Sequence, residues 1–198
     1  FKYGYLHNFI NIKGQDILVE ILKNKTQVIF ISGHFSNFEL MAQYIEKSNI
    51  KLAAIYRPLN NFFLNNTMEE IRKKFICKKQ IKKGLSGTRE VLKHINDGYS
   101  IALMIDQRVS EGIKVDFFNR KALTTTIPAQ LIKKYKLNVV PVHIERQNKH
   151  YFNLCFNKPI IFDPSDDVEK ITLKLNKNLE KMILKNPSQW IWSHNRWK

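Results

Sequence analysis

The sequence predicts an α/β fold in which a mixed, largely parallel sheet is flanked by helices on both faces. Three short runs are apolar at nearly every position, which is typical of strands buried on both faces. They are Val28–Ser32, Leu52–Tyr56 and residues 100–105. Segments with helical spacing separate these runs, and strands that alternate with helices indicate an α/β sheet. Residues 138–145 and Tyr151–Phe156 predict a late hairpin, which makes the sheet mixed rather than purely parallel.

The intervening segments carry the spacing and the end signals of helices. Apolar residues recur at helical spacing in the first segment, Gly98 ends a later one, and Pro128 suits the first turn of another. The predicted helices span Gln15–Lys23, residues 37–47, Phe62–Phe75, and residues 88–95, 126–134 and 168–184. The basic segment 78–84 has room for a short strand.

Length and composition indicate one globular domain, residues 1–198, with a strong positive charge. The chain is 43% hydrophobic, and 33 basic residues against 17 acidic ones give a net charge of +16. Such an excess implies an anionic partner, which is a nucleic acid, an acidic lipid surface or an acidic protein. Cys77 and Cys155 show neither metal-ligand spacing nor a disulfide framework. No run approaches the roughly 18 apolar residues of a membrane span, and no signal peptide is visible.

His34 is the candidate general base. It follows Val28–Ser32 almost directly, so it should lie at the carboxyl end of a central strand, where open α/β sheets bind ligands. Glu39 can pair with it only if His34 lies in a turn and Glu39 in the first helical turn, because residues five apart on one helix point about 140° apart. The same residues fit a second interpretation, a capping box in which Glu39 reaches back to the Ser36 backbone N–H.

Several motifs in order resemble those of the lysophospholipid-type acyltransferases, and more narrowly those of the late, or secondary, lipid A biosynthesis acyltransferases. The histidine–four residues–acid motif of that family, with Glu as the acid, resembles His34 to Glu39. The other matching blocks are Tyr56-Arg57-Pro58, Asp106-Gln107, Val115 to Phe118, Ala122-x-Thr124, and the tail from Pro187 to Lys198 with its Trp-x-Trp and Arg-Trp-Lys patterns. Asn119 stands where the family usually has glycine.

The resemblance implies a glycerolipid-acyltransferase-like fold and transfer of a fatty acyl group from acyl carrier protein to a hydroxyl of a lipid A precursor of the Kdo-lipid IVA type. It implies His34 and Glu39 as a catalytic dyad that works without an acyl-enzyme, because the substrate hydroxyl is the nucleophile. Asp106 and Gln107 are expected to form the site. Either Arg72 or Arg57 is expected to bind a lipid phosphate or the oxyanion.

The implied partners are acyl carrier protein, an anionic lipid A precursor and a membrane surface, with no nucleic acid, no metal and no cofactor. The implied location is the cytoplasmic face of the inner membrane of a Gram-negative bacterium. The family carries an N-terminal membrane anchor. The stretch before His34 is short, so we expect this chain to lack that anchor. Acylation of another lysolipid or glycolipid is the alternative within the class, and a basic nucleic-acid-binding module is the alternative outside it.

Three further features have two interpretations each. Trp190, Trp192 and Trp197 suit a bilayer interface or the closing of the core. The basic run 78–83 suits the capture of an anionic substrate or a solvated face. The remaining histidines, which are His7, His94, His143, His150 and His194, show no pairing that suggests a metal site.

Overall fold

The computed structural model describes residues 8–198, so His7 lies outside the described residues. The strands are β1 (Ile10–Lys13), β2 (Val28–Ser32), β3 (Leu52–Tyr56), β4 (Lys79–Lys82), β5 (Ser100–Met104), β6 (Ile113–Phe117), β7 (Arg120–Thr124), β8 (Asn138–Asn148) and β9 (Tyr151–Phe156). The α-helices are α1 (Gln15–Lys23), α2 (Glu39–Lys47), α3 (Phe62–Phe75), α4 (Leu85–Asn96), α5 (Ile127–Tyr135) and α6 (Val168–Lys185).

Seven strands form one mixed sheet in the order β1-β9-β8-β2-β5-β3-β4. Neighbouring strands are parallel except for β8 and β9, which pair antiparallel. This confirms the predicted fold class. The strands β2, β5 and β3 are neighbours, so their carboxyl ends meet at one edge of the sheet, which we call the carboxyl edge.

The core lies on both faces of the central strands. All five residues of β2 are buried, because helices cover the sheet there on either side. The helix α2 packs on β3 and β8, whereas α4 packs on β3, β4 and β5. No helix in the part of the chain that the structure describes is both long and apolar enough to cross a membrane.

Several predicted bounds agree with the structure, and others differ for local reasons. The bounds of α1, β2, β3 and α3 match the sequence prediction. The helix α2 begins at Glu39 rather than at residue 37, because Ser36 adopts a left-handed conformation with φ of 43° and the chain turns before it enters the helix. The prediction missed β1, whose four residues are too few to show a period, and the β6–β7 hairpin.

The β6–β7 hairpin turns through two residues with positive φ, Phe118 at 50° and Asn119 at 58°. A two-residue hairpin turn of this kind needs left-handed backbone at both positions. Asparagine is one of the few residues besides glycine that tolerates this conformation. Asn119 therefore keeps the turn that a glycine would otherwise provide.

The C-terminal segment 186–198 returns to the carboxyl edge of the sheet, and we call it the tail. The Ser36 N–H donates to the Gln189 carbonyl oxygen at 2.9 Å, and the Ile191 N–H donates to the His34 carbonyl oxygen at 3.0 Å. These two bonds make an antiparallel bridge between Phe35 and Trp190. The end of the chain is thereby fixed against the turn that follows β2.

His143 gives the fold a pH-dependent stability. Its side chain is buried in β8 against the ring of Phe35, with ring centroids 4.7 Å apart. Burial, together with the nearby Lys185, lowers the pKa of His143 to about 4, and Glu145 opposes the shift only in part. Between that value and the ordinary pKa of about 6.5, the unfolded chain binds a proton that the native protein does not bind. Stability therefore rises with pH across this window.

We predict that the His143→Gln variant loses this pH dependence. Between pH 7 and pH 5, His143 should lower the free energy of unfolding of the wild type by about 2 kcal/mol. Urea denaturation at both pH values measures the difference. Equal pH dependence in the wild type and the variant would contradict a neutral, buried His143.

Candidate active site

His34 lies in the turn between β2 and α2, where its ring contributes to the wall of a cavity. The ring is 16% exposed and packs edge-on against Phe38, with centroids 4.7 Å apart. A Cβ atom on Gly33 would lie 3.0 Å from Leu179 Cδ1 and 3.1 Å from a Phe35 ring carbon. The turn therefore packs onto α6 at a distance that favours glycine.

Asp106 reaches His34 because β5 is the parallel neighbour of β2. The pairing continues past β5, since the Ile105 N–H donates to the Ser32 carbonyl oxygen at 2.9 Å. Asp106 then accepts the His34 backbone N–H at Oδ2 and contacts His34 Nδ1 through Oδ1, both at 2.7 Å. The Trp190 indole N–H donates to Oδ2 at 2.9 Å. Three donors thus surround a carboxylate that is only 2% exposed.

These donors determine the protonation of the pair. Burial alone would raise the pKa of Asp106, but the hydrogen bonds from His34 and Trp190 and the charge of His34 outweigh it, so the pKa is lowered. An ionised carboxylate only accepts hydrogen bonds, so His34 Nδ1 must carry the proton. The lone pair of a neutral His34 then lies on Nε2, the nitrogen that a general base uses.

The expected pairing of His34 with Glu39 is wrong, because Asp106 holds the His34 ring. Glu39 instead accepts a long hydrogen bond from Arg72, with 3.4 Å between Nε and Oε1. The capping-box interpretation is also wrong, since α2 has Phe38 at its N-cap and the Ser36 N–H is bonded to the tail. Glu39 still lines the same cavity as His34.

A linked set of polar side chains includes Tyr56 and Arg72, which line the cavity, and supports them from behind. The Arg72 guanidinium lies over the Tyr56 ring, 5.3 Å from its centroid. The hydrogen bond from Tyr56, with those from Lys82 and Asn65, lowers the pKa of Glu69 to about 2 against the effect of burial. Burial and the bond to Glu69 raise the pKa of Tyr56. Glu69 is therefore ionised, and the Tyr56 phenol beside it is neutral.

Both candidate arginines line the cavity, but their surroundings differ. Arg57 is exposed, whereas the Arg72 side chain is only 16% exposed. Arg72 Nη1 is buried and has no hydrogen-bond partner among residues 8–198. Arg72 is therefore the better placed of the two to take an acceptor atom from a bound molecule.

Gln107 joins His34 to His194, a histidine to which the sequence pattern assigned no role. Its side-chain nitrogen lies 2.9 Å from His194 Nε2 and 3.4 Å from His34 Nε2. The His34 and His194 rings are 5.9 Å apart between centroids, and both line the cavity. Gln107 therefore lies between His34 and His194 in the lining of the cavity, and its role in binding stays a prediction.

The cavity itself is mainly apolar and measures about 290 Å³. Its apolar lining includes Ala42, Ile76, Leu103, Met104 and Val109. A second cavity of about 230 Å³ shares Ile55, Lys83 and Ile127 with the first, so the two are adjacent. The second cavity is lined by residues of α4 and α5.

The basic run 78–83 is divided between two edges of the sheet. Because β4 is parallel to β3, Lys82 lies opposite Tyr56 at the carboxyl edge, whereas Lys79 lies opposite Ala53 near the other end. Lys83 lines the cavity, and the Lys78 N–H donates to Glu46 at the far end of α2. The hypothesis that the whole run surrounds the site is therefore wrong for its first half.

The tail supplies residues whose role the local sequence did not reveal. Trp190 is buried and bonded to Asp106, and Arg196 is fully buried, with its guanidinium donating to Leu123 O and Thr124 Oγ1 at 2.7 Å each. Trp197 donates to the Phe117 carbonyl oxygen at 3.0 Å. The ordered Trp-x-Trp and Arg-Trp-Lys blocks were the available signal. Trp190 and Trp197 pack against the protein, whereas Trp192 is 55% exposed.

Comparison with known proteins shows which sequences this chain resembles. The family described as bacterial lipid A biosynthesis acyltransferase matches residues 5–198. The chain is 24% identical over 184 residues to lipid A biosynthesis acyltransferase 2 of Shigella flexneri, which covers 91% of this chain and 58% of that protein. It is 22% identical over 186 residues to the lipid A biosynthesis myristoyltransferase of Escherichia coli K12, which covers 92% of this chain and 57% of that protein. The chain thus spans less than two thirds of the length of these relatives.

A solved structure shares the fold. The 1-acyl-sn-glycerophosphate (LPA) acyltransferase PlsC of Thermotoga maritima superposes with a TM-score of 0.55 at 15% identity, covering 94% of this chain and 76% of that one. The family match over residues 5–198 confirms the resemblance read from the motifs. On that match, the chain belongs to the bacterial lipid A biosynthesis acyltransferases.

Proposed function

We propose that this protein transfers a fatty acyl group from acyl carrier protein to a hydroxyl of a lipid A precursor of the Kdo-lipid IVA type, at the cytoplasmic face of the inner membrane. The observation that carries the proposal is the His34–Asp106 pair at the wall of an apolar cavity. Membership of an acyltransferase family favours an enzyme over a nucleic-acid-binding module.

In the proposed reaction, His34 Nε2 takes the proton of the acceptor hydroxyl as its oxygen attacks the thioester carbonyl carbon. The tetrahedral intermediate then collapses, the C–S bond breaks, and the imidazolium returns the proton to the leaving thiolate. Asp106 keeps the Nδ1–H tautomer and stabilises the imidazolium in between. The enzyme forms no covalent intermediate, because the substrate supplies the nucleophile.

Arg72 and Glu39 have a separate role in this proposal. The half-buried guanidinium is oriented by Glu39 and by the Tyr56 ring, and its unpartnered Nη1 offers a donor to an anion. We assign it to the phosphate of the acceptor or to the oxyanion of the intermediate. Glu39 thus acts through Arg72, which replaces its expected direct contact with His34.

The donor acyl chain fits the two adjacent apolar cavities. Apolar lining suits a hydrocarbon chain, since its removal from water stabilises the complex in proportion to the area buried. The acidic carrier protein and the phosphorylated acceptor both suit a chain whose net charge is +16. Acylation of another lysolipid is the alternative, and parallel assays with lysophosphatidic acid and a lipid A precursor as acceptors distinguish the two.

We predict that His34→Ala and Asp106→Asn each reduce kcat by about 10²- to 10⁴-fold, the usual contribution of general acid–base catalysis. Release of free thiol from acyl carrier protein in the presence of acceptor measures the rate. The double variant should be little slower than the slower single variant, because residues that act as a unit are not additive.

Glu39→Gln is the informative comparison for this dyad. It should raise KM for the acceptor more than it lowers kcat, since it frees Arg72 while leaving the His34–Asp106 pair in place. The opposite result would be a Glu39→Gln variant without activity and an Asp106→Asn variant that stays active. That result would make Glu39 the catalytic partner of His34 and would contradict the assignment of Asp106.

We predict that Trp190→Phe lowers kcat/KM by about tenfold, because one of the three hydrogen bonds to a charged carboxylate is lost. Loss of this donor makes the carboxylate more basic, so the acidic limb of the pH–rate profile should move to higher pH; that limb reports the coupled pair rather than one residue. Trp192→Phe is the matched control, since its indole bonds to the Pro187 carbonyl oxygen instead. If the acidic limb of Trp190→Phe lies at the same pH as that of the wild type, Trp190 contributes packing only and does not affect the charge of Asp106.

We predict that Lys82→Gln/Lys83→Gln raises KM for acyl carrier protein at low salt by several-fold and changes kcat less, because charge that steers a partner acts on association. Lys78→Gln/Lys79→Gln removes the same charge at the other end of β4 and serves as the control. Steady-state kinetics at two ionic strengths measure both. If both double variants raise KM equally, the net charge of the protein affects binding of the carrier protein and the position of the lysines does not.

A further inference from the structure

We propose that the N-terminal part of α3 and the loop before it insert into the membrane interface and place the cavity against the lipid surface. This inference concerns residues 57–68, which we call the α3 tip. It deepens the proposed function and rests on it for the identity of the acceptor lipid. The anchoring surface itself is argued from exposure, position and charge.

Exposure is the first observation. Phe63 is 87% exposed, Leu64 is 56% exposed and Leu59 is 38% exposed, so three large apolar side chains face water within one short segment. Residues 63–75 of α3 are all at least partly exposed, so none of them is a fully buried core residue. An amphipathic helix that leaves such residues in water indicates a surface with an apolar partner.

Position is the second observation. Glu69 and Arg72 contact Tyr56 and Glu39 at the carboxyl edge, so this part of α3 lies level with the cavity. Phe63 lies six residues before Glu69, which places it about 9 Å farther along the helix axis at 1.5 Å per residue. The tip therefore projects beyond the carboxyl edge of the sheet, where Arg57 and Lys83 line the cavity. A lipid held by the tip would enter the cavity without crossing the rest of the protein.

The tip is an ordered structure despite its exposure. Asn61 caps α3 by accepting the backbone N–H groups of Phe63 and Leu64, at 3.0 and 3.2 Å. Asn65 accepts the Leu59 N–H at 2.9 Å and donates to Glu69 at 2.7 Å. The apolar side chains are thus presented from a folded turn, so little conformational entropy is lost when they insert.

Charge identifies the partner as a lipid surface rather than a protein. The α3 tip contains one basic residue, Arg57, and no acidic residue, so it presents no cluster of charge to an acidic carrier protein. Exposed Lys83 and Lys82 follow at the carboxyl edge, beside Tyr56, and the Lys82 ammonium is paired with Glu69 at 3.0 Å. An apolar tip bordered by cations fits a bilayer with anionic headgroups, where insertion and electrostatic attraction act together.

The test is flotation of the 198-residue protein with vesicles of phosphatidylcholine and phosphatidylglycerol. We expect Phe63→Ser/Leu64→Ser to weaken vesicle partitioning by at least about tenfold at both low and high salt, because the apolar contribution is not screened. Lys82→Gln/Lys83→Gln should weaken it at low salt only. The matched control is Val19→Ser/Ile161→Ser, whose side chains are 56% and 78% exposed but lie outside the tip.

The controls separate this inference from the proposed function. Circular dichroism and thermal melting verify that each variant folds. Tip-dependent flotation supports the inference even if the protein transfers no acyl group. Unchanged partitioning of the tip variant overturns it, as does a wild type that stays unbound. Loss of carrier-protein affinity or of self-association in the tip variant, with flotation unchanged, would identify a protein as the occupant and also overturn it.

Discussion

The buried carboxylate of Asp106 is the group on which the rest of the site depends. It accepts the backbone N–H of His34, contacts the ring of the same residue and accepts the indole N–H of Trp190. These contacts join the end of β5, the turn after β2 and the C-terminal tail at one point. A carboxylate buried without such donors would be costly to ionise, so each element that supplies a donor also maintains its charge. The stability of the fold and the proposed catalysis therefore depend on the same hydrogen bonds.

The tail is held in place by a second buried charge. Arg196 lies over the ring of Phe117, 4.9 Å from its centroid, and donates to the β7 strand. Burial lowers the pKa of Arg196 to about 10, against an opposing effect from Asp106. The hairpin β6–β7 is in turn bonded to α6 through Asn176 and Glu180. The tail, the β6–β7 hairpin and α6 are far apart in the sequence, but they pack together behind His34.

The charged side chains near the cavity fall into a paired, partly buried group and an exposed group. Groups that the reaction needs in a defined state are paired and partly buried, as in His34–Asp106 and Arg72–Glu39. The exposed cations Arg57 and Lys83 line the cavity and are assigned to capture in the proposed function. The apolar side chains of the α3 tip add a contribution that salt does not screen. The proposed chemistry, capture and membrane attachment thus use separate side chains on the same edge of the sheet.

The sequence by itself determined the α/β class, the central strands and the place of His34 at a strand end, because apolar runs and helical periods are local properties. Tertiary structure alone decided the partner of His34, since β5 lies between β2 and β3 and brings Asp106 closer than the nearby Glu39. It also divided the basic run between two edges and turned Trp190 inward. Pairings of this kind depend on strand order and on long-range packing, and neither leaves a period in the sequence.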